Sequence, residues 1–137
     1  MKEGFVIKNQ VNISSSFDEI NKVEAFITDT CKDLGVNDDY YGNVLIAVTE
    51  AVNNAIQHGN KHSSLLEVSV SVANATDEFC YSVKDQGSGF DFANLPDPTS
   101  PENLLKENGR GVFLMRSLAD EVLFSSGGSH VDIYFKK

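Results

Sequence analysis

The chain has 137 residues, enough for one domain with a real core and no need of disulfides or a structural metal. Hydrophobic residues make up 41% and charged residues 23%, a balance that excludes a disordered chain. A net charge of −9 repels phosphate backbones and argues against direct nucleic-acid binding. No apolar run approaches the ~20 residues of a membrane helix, and Met1–Phe5 lacks the apolar core of a secretory signal. The expected setting is cytoplasmic, as a single domain over residues 1–137 with no membrane partner.

Residues 4–13 alternate weakly and suit an edge strand. Ser16 and Glu19 form a capping-box pattern. Behind it Phe17, Ile20, Val23, Ile27, Cys31 and Leu34 recur at helical spacing until Gly35. A second helix is predicted from Asn37–Asp38 to Gly59, with an apolar stripe through Val44, Val48, Val52 and Ile56. The period then changes to two. Val68, Val70 and Val72, then Phe79, Tyr81 and Val83, predict a β-hairpin with one buried face. Residues 86–111 are rich in Gly, Pro, Asn and Asp and read as a long irregular stretch with one short helix near 102–106. Val112–Ala119 reads as a helix, and Val122–Phe124 with Val131–Phe135 as a closing antiparallel pair. Strands follow helices without strict alternation, which favours an α+β sandwich. Cys31 and Cys80 fall among regular apolar neighbours and read as small buried hydrophobes. His58 and His62 have i,i+4 spacing, but no third metal ligand is in view.

Three clusters carry chemistry. Glu50 and Asn54 lie one above the other on a helix, flanked by the small Ala47 and Ala51. A carboxylate and an amide so placed can hold a hydrated Mg²⁺ and poise an attacking oxygen, or form a solvated polar face. Asp85 shares strand parity with Val83 and points to the buried side, where it needs a partner. An adenine amino group is one candidate, and its own backbone turn is another. Gly87 and Gly89 behind it permit close backbone approach. Gly109, Arg110 and Gly111 end the long loop where a helix begins, which is either an anion site or an ordinary flexible entry.

In this order and spacing the clusters resemble the Bergerat-fold (GHKL) ATPases. The run from Gly109 to Val122 resembles the anti-sigma-factor serine/threonine kinases among them. The resemblance implies a two-layer sandwich: a mostly antiparallel mixed sheet covered on one face by about three helices, with an ATP lid loop over residues 91–108. It implies ATP and Mg²⁺ as cofactors, Glu50 as general base and Asn54 as the Mg²⁺ ligand. Asp85 would bond the adenine amino group, Gly87 and Gly89 would lie under the nucleotide, and Gly109 and Gly111 would hinge the lid. Arg110 would reach a phosphate or remain solvated, and Ser129 stands where relatives often carry a threonine near the adenine. The partners implied are a sigma factor and an anti-sigma-factor antagonist protein phosphorylated on Ser or Thr, with room for a homodimer. The alternative is a non-catalytic switch that binds a partner according to nucleotide state.

Overall fold

The computed structural model describes residues 1–63, 65–87 and 110–137. The short helix expected near 102–106, the lid loop 91–108, Gly89 and Gly109 lie outside the described residues.

Strand β1 (Val6–Ser14) is an edge strand. Its register shifts between Ile7 and Asn9, a bulge of the kind that blunts an exposed edge. Ser16 caps a single 3₁₀ turn, Phe17–Glu19, by accepting the Asp18 N–H. Glu19 does not close the capping box. It accepts from the Ser14 hydroxyl at 3.1 Å and pairs with Lys22 at 2.5 Å. The Ser16 N–H is already satisfied by the Ser14 carbonyl at 2.8 Å, so the box has no donor left to serve.

Helix α1 (Ile20–Asp33) buries Val23, Phe26, Ile27, Thr30 and Cys31, the face its periodicity predicts. Gly35, at φ 68°, turns the chain out of it. Helix α2 (Asp38–Asn54) is capped by Asn37, whose side chain accepts the Asp39 N–H at 2.9 Å. Asp38 and Asp39 in its first turn complement the helix dipole. The helix then widens into a π-helical turn, Ala55–Gly59. Strands β2 (Glu67–Asn74) and β3 (Glu78–Asp85) form the predicted hairpin. Helix α3 (Arg110–Leu118) is in place at Arg110, two residues before the expected start. Strands β4 (Glu121–Ser125) and β5 (His130–Lys136) flank a turn at Ser126–Gly128.

The sheet has the order β1-β2-β3-β5-β4, and among the described residues every pairing is antiparallel, where a mostly antiparallel mixed sheet was expected. β3 and β4 do run in the same direction, but β5 lies between them, so they form no parallel ladder with one another. Helices cover the face carrying Val70, Tyr81, Val83 and Ile133. Tyr81 buries its ring there and shares a 2.5 Å hydrogen bond with Thr30 of α1, tying the layers together.

The hairpin differs from expectation in one respect: β3 is buried on both faces from Phe79 to Val83. The N-terminal residues cause this. Phe5 packs edge-on against Tyr134 at 5.4 Å, and the Met1 ammonium pairs with Asp132 at 3.0 Å. Ser82 donates to the same carboxylate at 2.5 Å. Cys80 lies in this layer, and burial beside the Asp132 charge pushes its thiol up to about 12, the behaviour of an inert core cysteine.

A candidate nucleotide site between helices α2 and α3 and strand β3

The last turn of α2 carries Glu50, Asn53 and Asn54 along one face, since positions i, i+3 and i+4 align, and Gln57 of the π-helical turn continues the lining. With Arg110 and Gly111 of α3, and Phe17 and Ile20 across the opening, they line a cleft of about 520 Å³. That is the size of a small-molecule site.

Glu50 is half-buried, and burial pushes its carboxyl above the ordinary carboxylate range, while the Arg110 charge opposes the shift. Helix α3 comes close because Gly111 has no side chain. A Cβ there would lie 2.9 Å from Glu50 Oε2 and 3.2 Å from Asn54 Nδ2. Asn54 Nδ2 is buried with no hydrogen-bond partner. A buried unsatisfied amide costs stability unless something else completes it. A half-turn of the amide exchanges its nitrogen and oxygen, so it can present a neutral oxygen to the cleft. Such an oxygen beside a carboxylate is the donor chemistry a hydrated Mg²⁺ accepts. These residues therefore fit the cation that the sequence implied.

At the other end stands Asp85, the last residue of β3. Its N–H donates to Ser129 O at 2.8 Å, which fixes the strand end against the β4–β5 turn. Its Oδ1 accepts the Gly87 N–H at 2.9 Å, the local turn that was the second reading of this residue. Burial raises the carboxyl, and the Gly87 bond partly offsets it. The carboxylate rests on Gly59, where an added Cβ would lie 2.2 Å from Asp85 Oδ2. Gly87 in turn rests on Gly59: a Cβ added at Gly87 would meet the Gly59 carbonyl oxygen at 1.8 Å. Val83, Met115, Phe124 and Val131 wall the depression in front of Asp85, whose volume is about 10 Å³. That is about the space of one water.

The sequence-chosen residues that are described thus gather in one place. Glu50, Asn54, Arg110 and Gly111 line the cleft, Asp85 and Ser129 line the depression, and Asn54 belongs to both. Gly87 forms the joint behind them. Ser129 contributes its backbone carbonyl, because its hydroxyl donates to Ser126 O at 2.9 Å within its own turn. Sequence reading missed Asn53, Gln57 and His58 as lining residues, although their spacing from Glu50 carries the signal for the first two. It read Gly59 only as a helix stop. His62 is not a lining residue; its ring packs edge-on against Phe17 at 5.0 Å. Among the described residues no group of three or more His, Cys, Asp or Glu side chains could hold a metal, and no helix is long and apolar enough to cross a membrane.

A helix-borne Glu50 and Asn54 thus face Gly111 of a second helix, with the Asp85 carboxylate at a strand end behind them, on a two-layer α+β fold. The pattern of the histidine kinase-like ATPase domain matches residues 13–135. The serine-protein kinase RsbW of Bacillus velezensis is 30% identical over 123 residues, covering 85% of this chain and 77% of that protein. RsbW of Bacillus licheniformis is 39% identical over 95 residues, 65% of this chain and 59% of that protein. RsbW of Staphylococcus aureus strain JH9 is 27% identical over 146 residues, 99% and 90% respectively. The solved RsbU and RsbW domains of Rv1364c from Mycobacterium tuberculosis superpose with a TM-score of 0.58 at 16% identity, over 94% of this chain and 32% of that one, a likeness of fold. The chain belongs to the histidine kinase-like ATPase domain family, on its branch of anti-sigma-factor serine/threonine kinases.

Proposed function

We propose that the chain is an ATP-dependent serine/threonine protein kinase that acts as an anti-sigma factor and phosphorylates an antagonist protein. The observation that carries this reading is the orphaned Asn54 amide beside the half-buried Glu50 in an open cleft. Asn54 would hold Mg²⁺, which when bound neutralises phosphate charge. Glu50 would accept the proton of the attacking Ser or Thr hydroxyl, and its raised pKa brings it nearer to working pH. Arg110 lines the same cleft and would supply positive charge toward the phosphates. Asp85 would accept a hydrogen bond from the purine amino group, and Ser129 holds Asp85 through its carbonyl. Glycines 87, 89, 109 and 111 would let backbone lie close to the nucleotide.

Retention of Glu50 supports the kinase over a non-catalytic switch, because a pure binder needs no base. Calorimetric titration of ATP with and without Mg²⁺ tests the site. Tight binding that needs Mg²⁺, and that Asn54→Ala and Asp85→Asn each weaken, is the expected result. Transfer of labelled γ-phosphate to purified candidate antagonist proteins tests the kinase. ATP binding without transfer to any of them leaves the switch.

A further inference from the structure

Asn60 follows the π-helical turn and is 2% exposed. A buried amide is costly unless its donors and acceptor are met. Here they are met by three distant segments. Nδ2 donates to Ser15 Oγ at 2.6 Å and to Glu67 O at 2.9 Å, and Oδ1 accepts the Gln86 N–H at 2.8 Å. Its backbone N–H donates to Ala55 O at 2.8 Å, closing the turn it belongs to. The Gln86 side chain answers by accepting the Glu67 N–H at 2.7 Å.

Two of these anchors bracket Asp85. Gln86 is the next residue along the chain, and Gly59, on which the Asp85 carboxylate rests, is the residue before Asn60. Movement of the turn against the strand end would therefore change where the carboxylate points. We propose that Asn60 is the positioning residue for base recognition: it clamps residues 85–87 onto the turn at 55–60 and so aims Asp85 at a purine bearing a 6-amino group. The inference rests on the reading of this site as an ATP site. A carboxylate accepts from an amino group, whereas a 6-oxo group sets acceptor against acceptor. The ratio of ATP to inosine triphosphate affinity thus reports the aim of Asp85, and a loss of folded protein alone would lower both affinities together.

The test is calorimetric titration of the whole chain with Mg²⁺ and each nucleotide, with Tm measured for every variant. Wild type is expected to prefer ATP by at least about tenfold, the scale of one hydrogen bond to a charged group. Asn60→Ala should bring the ratio to within about threefold, mainly through lost ATP affinity. Ser15→Ala removes an anchor remote from Asp85 and should lower Tm while leaving the ratio intact. If Asn60→Ala does not fold, Gln86→Pro deletes the N–H that Asn60 accepts and should collapse the ratio in the same way. A wild-type ratio in whichever of these two variants folds, or equal losses for both nucleotides, overturns the role of Asn60 alone. A wild type that binds neither nucleotide overturns the ATP reading and this inference with it.

Discussion

At the α2–α3 end of the site a cleft of about 520 Å³ opens beside a buried amide without a partner. At the β3 end the space in front of Asp85 is about 10 Å³, and Asp85, Asn60 and Gln86 are all engaged with one another's segments. One end leaves the Asn54 amide nitrogen unmet, where the proposed function places the charge of a ligand. The other satisfies its polar groups, so that a carboxylate has a fixed direction. Catalytic effects should therefore concentrate at the first end, and fold and selectivity effects at the second.

The largest effect expected at the open end is chemical. Glu50→Gln keeps the size and most of the polarity of the side chain but removes the proposed base. Transfer of labelled phosphate should fall by roughly 10²–10⁴-fold. ATP affinity by calorimetry should stay within about threefold. Parallel loss of both would place Glu50 in binding and erase the contrast between the two ends.

At the closed end two glycine substitutions separate fold from recognition. Gly87→Ala drives a methyl to 1.8 Å from a backbone oxygen of Gly59, which has nowhere to go. Urea unfolding should show a loss of about 3 kcal/mol or more. Gly59→Ala meets the Asp85 side chain, which can swing aside. It should cost about 1 kcal/mol by the same measurement while weakening ATP roughly tenfold. Equal stability losses would mean that Asp85 is held as rigidly as backbone.

A smaller effect links the ends through pH. Burial raises the Glu50 carboxyl, so the folded state holds that proton more tightly than the unfolded chain. The charged form therefore costs stability above the raised value, and the cost disappears below the ordinary carboxyl pKa of about 4.3. Glu50→Gln should raise Tm at pH 7.5, and the gain should shrink as pH falls through the carboxyl range. A gain independent of pH would assign it to packing rather than to the buried charge.

Much of this was legible in sequence, and the boundary is physical. Helices α1 and α2, the hairpin and the Glu50–Asn54 pair rest on local period and capping, which neighbouring residues determine. Asn60 and Gly59 were not legible as site residues. Asn60 draws its role from Ser15 and Gln86, 45 and 26 residues away, and Gly59 from Asp85. The second buried face of β3 depends on Met1 and Phe5 folding across Asp132 and Tyr134, a contact no periodicity encodes.

Ser129 shows the same boundary at a single side chain, and it carries the smallest prediction. Position alone suggested a hydroxyl near the base. The backbone instead places the Ser129 carbonyl on the Asp85 N–H and turns the hydroxyl to Ser126 O. Ser126 holds φ 52° in this turn, so the hydroxyl bond helps to close a bend that the main chain itself disfavours. Ser129→Ala should then cost about 0.5–1.5 kcal/mol of stability and change ATP affinity by less than about threefold. The carbonyl that fixes Asp85 is untouched by the substitution. A drop in ATP affinity of tenfold or more, with stability unchanged, would show that the hydroxyl rotates onto the nucleotide, and that the closed end is completed by its ligand as proposed for the open end.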